Sequence, residues 1–474
     1  MRKKMPSIHS GFVGLIFFLF FALSVNNTAF SQTTPEEAVE LWNLRQTEIQ
    51  QFYQEGNLEG ALNSAQEAVS LAETAFGSGS LETISSLLLQ AQIHSEMDQL
   101  EEANQIYQVT LETSVASFGE SDATTLSVLD NYGEFLNSID PEMAEPVFQE
   151  ALQLSSEDDP QRASRMKAVG LNLLELGRII EAEEMLKQAL KTFKEISGEK
   201  NTEALSAMAS LAQLYMSQGK LKHAQELFET ALPMMLEALD ETSFLILESK
   251  ENLAEIYRQQ GKYSQAETLF LQSMKAAEAE YGEGDPLVVQ AKSHLAQLYE
   301  DTGKLKQALA FHQQVYEIDS ELLGEGHPNT AGDLNNLASV QRRLGDYQKA
   351  EKLFRQSLKI MIAALGEESP QTVSVMNNLA LLLENQGLYD EAEPLFKKAF
   401  AISGKIQGEL HPTTLALLNN LAFLYESQGD FMRSELNYKE VIQLNTEVFG
   451  ENHTNTIANQ NNLAYLYLRD ERYN

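Results

Sequence analysis

Residues 411–431 read HPTTLALLNNLAFLYESQGDF, and this stretch decides the fold. Leu418, Leu421 and Tyr425 recur at a spacing that places their side chains on one face of a helix. Gly429 then ends the pattern, because glycine readily adopts the left-handed conformation that follows many helix C termini. A second apolar-periodic segment begins directly after it. The stretch therefore predicts the first helix of a helical hairpin.

The same unit recurs along the chain at intervals of 42 residues. The glycine of the turn repeats at this interval from Gly177 to Gly429. The sequence Asn-Asn-Leu-Ala repeats at the same interval, beginning at Asn335, Asn377, Asn419 and Asn461. A single hairpin cannot bury its apolar face alone, so we expect the units to stack around a continuous core. Small residues such as Ala380 and Ala392 are expected where neighbouring backbones approach.

The repeated region is expected to span residues 32–474 as one array of about ten repeats followed by a terminal half repeat. Asp140 and Gly177 occupy successive turn positions but are 37 residues apart, five fewer than the usual interval. The deletion predicts an irregular joint near residues 155–162.

The unit resembles the tetratricopeptide repeat, and its 42-residue period with LNNLA and HP elements is most similar to repeats of the kinesin-light-chain type. The residues of the fifth unit that carry the resemblance are Leu211, Ala212, Tyr215, Gly219, Ala224, Phe228 and Ala231. The resemblance implies an all-α fold, a right-handed α-solenoid of stacked helix–turn–helix repeats. It also implies a non-catalytic scaffold that binds a partner protein or peptide along the concave surface of its first helices.

Composition excludes several other classes of function. The formal net charge of −35, spread along the chain, disfavours binding to nucleic acid. The absence of cysteine excludes disulfides and thiol catalysis. His327, His411 and His453 recur in the turns and are interpreted as helix caps rather than metal ligands. We expect no enzymatic activity, cofactor, metal or small-molecule substrate.

The N terminus has the pattern of a secretory signal. Arg2, Lys3 and Lys4 precede the apolar run from Gly11 to Val25, and small residues follow at cleavage-like spacing. We interpret residues 1–31 as a signal peptide, which predicts a secreted or periplasmic protein. The alternative is an uncleaved anchor, the only segment expected to contact a membrane, although its apolar run is shorter than the roughly 20 residues that span a bilayer.

Two series of residues on the first helices are candidates for partner binding. The first consists of Asn335, Asn377, Asn419 and Asn461. The second lies one helical turn later and consists of Ser339, Leu381, Phe423 and Tyr465. An amide can grip an extended peptide backbone without reading its sequence, and the second series offers apolar contacts. The alternative is that the asparagines bond adjacent helices, which we favour for Asn336, Asn378, Asn420 and Asn462.

Charged residues at the upstream end of these series predict a further preference. Arg342 and Arg343 are expected to meet an acidic group of the partner. Further upstream, Glu248, Glu251 and Glu255 predict an acidic end of the groove.

The final stretch, NNLAYLYLRDERYN, leaves two interpretations open. The last helix could cap the array, or the sequence could be the recognition arm of a larger enzyme or signalling protein, for example one with a C-terminal caspase-like peptidase domain. The second interpretation is motivated by Leu463, Leu466 and Tyr467, which we expect to be exposed if no second helix follows.

Overall fold

The computed structural model describes residues 33–470, which form 21 α-helices and no β-strand. These residues divide into two compact units, 33–219 and 220–470. The first unit contains α1 (Pro35–Gln54), α2 (Leu58–Phe76), α3 (Leu81–Glu96), α4 (Leu100–Phe118), α5 (Ala123–Ile139), α6 (Pro141–Leu154), α7 (Arg162–Glu175), α8 (Ile179–Ser197) and α9 (Thr202–Ser217). The second unit contains α10 (Leu221–Ala238), α11 (Phe244–Gln259), α12 (Tyr263–Tyr281), α13 (Pro286–Asp301), α14 (Leu305–Leu322), α15 (Pro328–Arg343), α16 (Tyr347–Leu365), α17 (Pro370–Asn385), α18 (Tyr389–Gln407), α19 (Pro412–Gln428), α20 (Phe431–Phe449) and α21 (Thr454–Arg469).

Within each unit the helices pack as antiparallel hairpins, as the 42-residue period predicts: α1–α2 to α7–α8 in the first unit and α11–α12 to α19–α20 in the second. Odd-numbered helices are the first helices of the hairpins and even-numbered helices are the second. Within each unit, consecutive helices pack against each other along the chain. The prediction of an all-α solenoid of stacked repeats is confirmed.

The ends of the first helices are fixed by their own sequence. Pro412 lies in the first turn of α19, where the missing amide donor leaves no helical hydrogen bond unmade. The Nδ1 atom of His411 accepts a hydrogen bond from the Thr413 amide at 3.2 Å. His327 and His453 cap α15 and α21 in the same way. The interpretation of these histidines as caps is confirmed.

Fully buried alanines mark the contacts between helices of the second unit. Ala380 on α17 and Ala392 on α18 have no exposed surface, and they pack with Phe354 and Phe396 in one apolar cluster. A larger side chain at either alanine would have no space because the neighbouring helices close over it. Ala464 on α21 holds the same repeat position but is exposed.

The irregular joint lies between α6 and α7, and both helices are only 14 residues long. The guanidinium of Arg162 donates hydrogen bonds to the carbonyl oxygens of Leu152 and Ser155 at 2.8 and 2.7 Å, which satisfies the C-terminal end of α6. Arg165 is buried and forms ion pairs with Asp130 at 2.9 Å and Asp159 at 2.6 Å. Two arginines thus close the joint where the chain is five residues shorter.

The turn after a first helix requires a residue with positive φ. Gly387 supplies it after α17 with φ of 75°. Asp98 occupies the corresponding turn after α3 with φ of 59°, a conformation that is strained for a residue with a side chain. Asp140 continues the sequence series but has φ of −157°, and its side chain caps α6 by accepting a hydrogen bond from the Glu142 amide.

No helix within residues 33–470 combines the length and the apolar character needed to cross a membrane. The predicted signal peptide, residues 1–31, lies outside the described residues.

Candidate partner-binding face

The candidate site is the face that the first helices of the second unit share. Consecutive first helices contact each other directly in the pairs α11–α13, α15–α17 and α17–α19. Side chains on neighbouring first helices therefore meet at a sequence separation of 43, one residue more than the repeat. Two parallel rows of polar contacts result, seven residues apart along each helix and hence on the same face.

The first row, here called the amide row, consists of asparagine pairs. Asn378 donates from Nδ2 to Oδ1 of Asn335 at 2.9 Å. Asn420 bonds Asn377 in the same way at 2.8 Å, and Asn462 bonds Asn419 at 3.2 Å. The second asparagine of each pair therefore joins adjacent helices, which confirms the structural interpretation of Asn378, Asn420 and Asn462.

The two polar groups of the first asparagine in each pair have different surroundings. Its side-chain oxygen accepts from the next repeat, while its amino group has two further hydrogens to donate. Among the described residues, the amino groups of Asn335 and Asn419 donate to no protein atom, and that of Asn377 makes only a long 3.5 Å contact with Asn378. Asn461, on α21, is exposed. The row thus holds its oxygens internally and presents N–H donors outward.

The amide row changes composition upstream. His294 occupies the position of Asn336 one repeat earlier, and its Nδ1 bonds the Glu251 carboxylate at 2.6 Å. The row is interrupted between the Glu251–His294 contact and the Asn335–Asn378 contact. Ser293 replaces asparagine there, and within the described residues no hydrogen bond joins it to Asn336. The row is continuous from α15 to α21 only.

The second row, here called the carboxylate row, was not predicted from the sequence. Arg343 donates to Glu300 at 2.8 Å, and Ser427 donates to Glu384 at 2.7 Å. In the last hairpins Arg469 donates to Glu426, also at 2.8 Å. The signal was present in the sequence as a polar or oppositely charged residue 43 positions after each glutamate. Arg343 is therefore already paired within the fold. Arg342 is partly buried and makes no such contact within residues 33–470, and the contact of both arginines with an acidic partner stays a prediction.

Two carboxylates of this row have a second partner in the following second helix. His312 bonds Glu300 at 2.9 Å, and the hydroxyl of Tyr438 donates to Glu426 at 3.3 Å. The corresponding positions of the intervening repeats hold Phe354 and Phe396. Burial, followed by the charge of Glu426, raises the pKa of the Tyr438 phenol, so Tyr438 stays protonated and remains a donor.

An apolar strip lies between the two rows, and its side chains grow in size and exposure along the chain. Ser339 and Leu381 are partly buried, while Phe423 is 44% exposed and Tyr465 is 60% exposed. Exposed aromatic side chains between hydrogen-bonding rows are typical of surfaces that bind other proteins. A small residue lies two turns before each strip residue on the same helix: Gly332, Ser374, Ala416 and Ala458.

At the upstream end of this face, two of the three glutamates predicted to make it acidic have partners within the fold. Glu251 is buried against His294. Arg258 pairs with Glu255 at 2.8 Å. Although burial opposes it, the hydrogen bonds and charge of Arg258 hold the pKa of Glu255 below its ordinary value. Glu255 thus has a cationic partner within the fold, and Glu251 has a histidine partner.

The last helix exposes a different face from the one expected. Leu466 is fully buried, and Leu463 and Tyr467 are partly buried, which corrects the expectation that these three are exposed. Ile457 and Leu468 are exposed instead.

A separate cleft of about 700 Å³ lies between the second helices α16 and α18. Leu358, Leu379 and Leu383 line it, and the ion pair between Arg355 and Glu391, 2.9 Å long, lies at its edge. Within residues 33–470 no three histidine, aspartate or glutamate side chains are placed to hold a metal ion.

Comparison with known proteins identifies the family of this protein. A family model described as tetratricopeptide repeat matches residues 162–237, 245–321, 287–363, 331–405, 371–444 and 413–474, which together are more than half of the chain. The chain therefore belongs to the tetratricopeptide repeat family, and that prediction is confirmed. A search of curated protein sequences finds no relative.

Solved structures of several proteins are similar to this chain. The apo form of the quorum sensor NprR from B. thuringiensis is 16% identical, with a TM-score of 0.56 and a match over 77% of this chain and 99% of that one. The apo form of RapI is 17% identical, with a TM-score of 0.57 over 77% and 98% of the two chains. BtubC (BKLC) from P. vanneervenii is 24% identical over 52% of this chain and 93% of that one, with a TM-score of 0.40. The likenesses to NprR and RapI show the fold alone.

Proposed function

We propose that this protein is a non-catalytic scaffold that binds an extended segment of a partner protein along the first helices α15 to α21. The observation that carries the proposal is the pairing within the amide row, which fixes each asparagine oxygen and leaves N–H donors facing outward. Backbone carbonyls of an extended peptide are suitable acceptors for such donors, whatever the peptide sequence.

The apolar strip supplies the second part of the proposed interaction. Phe423 and Tyr465 offer exposed rings between the two polar rows, so alternate side chains of the partner would pack on them. Ala416 and Ala458, the small residues two turns before these rings, leave space for the partner backbone to approach. We expect selectivity to come from apolar partner side chains, with Arg342 adding a preference for an acidic group at the α15 end.

The test compares two variants that lose the same bond of the fold. Asn377→Ala removes both the internal acceptor and the outward donor, whereas Asn420→Ala removes only the bond between Asn420 and Asn377. Peptides selected from a displayed library on the purified chain serve as the probe. We expect Asn377→Ala to weaken binding about tenfold, which corresponds to roughly 1.4 kcal/mol, and Asn420→Ala to weaken it much less. Equal losses in both variants would show that the row is structural only.

The strip is tested by replacing its aromatic residues with the residue that the same position already contains in α15. Phe423→Ser and Tyr465→Ser reproduce Ser339 and should each weaken peptide binding by about tenfold or more. Met432→Ser and Leu436→Ser on α20 are matched controls, because both residues are exposed on a second helix. If binding is lost in the α20 variants and kept in the α19 and α21 variants, the partner binds the second helices, and the proposed site on the first helices is wrong.

The proposal holds for a chain that acts alone and for one that serves as the recognition arm of a larger enzyme or signalling protein. We also propose a secreted or periplasmic location, on the basis of residues 1–31. The intact mass of the protein from its host, with N-terminal sequencing, tests both points. A first residue near Gln32 supports export with cleavage, and a chain that begins at Met1 contradicts it. A mass above that of residues 1–474 supports the recognition arm.

A further inference from the structure

A pair of aspartates occupies one of the buried contacts between a second helix and the next first helix. Asp333 on α15 is 8% exposed, and the carboxyl group of Asp319 on α14 lies beside it. The equivalent residues two repeats earlier, Ser249 and Met235, are in contact at 3.5 Å. The Oδ2 atom of Asp333 is buried and has no hydrogen-bond partner. Two carboxylates held together away from water repel each other unless one of them carries a proton, so this contact favours a shared proton.

The same positions in other repeats show what this contact normally contains. Met361 and Val375 hold them one repeat later, and both are buried. Three repeats later they are Asn445 and Asn459, which are 2% and 7% exposed. The chain therefore builds the same contact from apolar or neutral polar residues elsewhere, and only at the α14–α15 joint, among the repeats described, from two acids.

Among residues 33–470, no cation is paired with either aspartate. The elements packed on α15 are α14, α16 and α17. From α16 and α17, Met361 and Val375 pack against Ala331 near Asp333, and neither residue is titratable. Burial, then the charge and hydrogen bond of Asp319, raise the pKa of Asp333 to about 7, and within the described residues no other charged group contributes to this shift.

The first helices α13 and α15 are also weakly connected at this joint. The amide row is interrupted between Ser293 on α13 and Asn336 on α15. The α13 and α15 helices contact each other less than the neighbouring first-helix pairs do. A hydrogen bond from Arg343 to Glu300 joins α15 to α13. Arg343 lies nearly three helical turns after Asp333 on α15.

We propose that the Asp319–Asp333 pair is a proton-operated hinge in the second unit. With one shared proton the α14–α15 contact is closed. Loss of the proton leaves two facing carboxylates in a buried contact, and their repulsion opens the space between α13 and α15 on the side away from Arg343. Because α15 begins the continuous part of the amide row, opening changes where that row starts. The hinge itself does not depend on partner binding.

The sign of the pH dependence follows from linkage. An aspartate in an unfolded chain has a pKa of about 3.9, so between about pH 4 and pH 7 the folded protein holds a proton that the unfolded chain has lost. The stabilisation from the shared proton is full below about pH 4, falls as the pH rises, and is gone above about pH 7. The apparent folding constant of the wild type, divided by that of a variant without the pair, should fall up to about tenfold per pH unit in this window.

The variants that test the hinge are copied from the chain itself. Asp333→Asn reproduces Asn459, and Asp319→Asn reproduces Asn445. Each variant keeps a hydrogen-bonding pair but cannot acquire two charges. If one variant fails to fold, as judged by circular dichroism, the other serves the same purpose. All buffers contain a chelator so that a bound cation cannot replace the proton.

Spin labels measure the opening directly, since the chain contains no cysteine. Gln290→Cys with Gly332→Cys spans α13–α15, and Ser374→Cys with Ala416→Cys is the matched pair on α17–α19, displaced by two repeats. A side chain at Gly332 meets no atom within 4 Å. We expect the first distance to lengthen between pH 5.5 and pH 8.5, the second to stay constant, and Asp333→Asn to abolish the change. A constant first distance, or a change that persists in the variant, would overturn the proposal.

Discussion

The hydroxyl of Tyr438 and the Oε2 atom of Glu426 form a hydrogen bond between α20 and α19, at 3.3 Å, inside the core of the last hairpin. Glu426 is 2% exposed, and its other oxygen accepts from Arg469 on α21. One buried carboxylate therefore connects three consecutive helices. The phenol is required there because a buried carboxylate oxygen without a donor destabilises the fold.

Replacing this phenol should be costly. Tyr438→Phe introduces the residue found at the same position in α16 and α18, Phe354 and Phe396, but leaves Glu426 with one unpaired oxygen. We expect a loss of about 1–2 kcal/mol in the free energy of unfolding, measured by urea denaturation. Tyr465→Phe, which removes an exposed hydroxyl from α21, is the control and should change stability very little. Equal stability of Tyr438→Phe and wild type would show that the hydrogen bond between Tyr438 and Glu426 does not stabilise the fold.

The packing of the first helices predicts a contrast between two alanines. Ala380 is fully buried in the core cluster, so Ala380→Leu should overpack it and reduce stability by about 1–3 kcal/mol. Ala416 is exposed on α19, and Ala416→Leu should be nearly neutral. Thermal denaturation followed by circular dichroism measures both. A melting temperature of Ala380→Leu at or above that of the wild type would contradict the close approach of the helices.

The turn after α3 predicts a stabilising substitution. Asp98→Gly should raise the free energy of unfolding by about 1 kcal/mol, because glycine adopts a φ of 59° without strain. The reverse change at the matched turn, Gly387→Ala, should lower it by a similar amount, since an added Cβ meets no atom within 4 Å and only the backbone is strained. Denaturant midpoints of both variants, compared with that of the wild type, test the pair. A destabilised Asp98→Gly would mean that the aspartate side chain has a compensating interaction.

At the irregular joint, the buried Arg165 should contribute more to the free energy of unfolding than an exposed arginine with the same number of ion pairs. Arg165→Met leaves Asp130 and Asp159 without their shared cation, and we expect a loss of about 3 kcal/mol. Arg178 also pairs with two carboxylates but is exposed, so Arg178→Met should have little effect. Urea denaturation monitored on the isolated full-length chain distinguishes them. Similar losses in both variants would show that burial does not set the strength of these pairs.

The repeated hairpin could be predicted from the sequence because it depends on local signals. The apolar spacing around Leu421, the turn at Gly429 and the proline at Pro412 each act within a few residues, and the structure contains the helix they predict. The caps at His411 and its equivalents followed from position in the turn for the same reason.

Contacts between repeats were harder to predict because they depend on register. A period of 42 suggests that equivalent residues face each other, but the helices are offset, and side chains meet at a separation of 43. For this reason the pairing of Arg343 with Glu300 on the preceding first helix was not predicted. The exposed face of α21 was misjudged because Leu466 packs inward against α19 and α20 in the core cluster.

The offset of one residue has a consequence for how such a chain can change in length. Every asparagine pair from α15 to α21 has its donor in one repeat and its acceptor in the repeat before. A duplication of 42 residues in this region would place each new donor opposite a ready acceptor, so the array could gain a step in a single genetic event with no bond left open. The segment that contains Asp319 and Asp333 lacks this freedom, because copying it would add a second pair of facing acids. The downstream repeats are therefore the part of the protein best suited to grow or shrink as a partner changes in length.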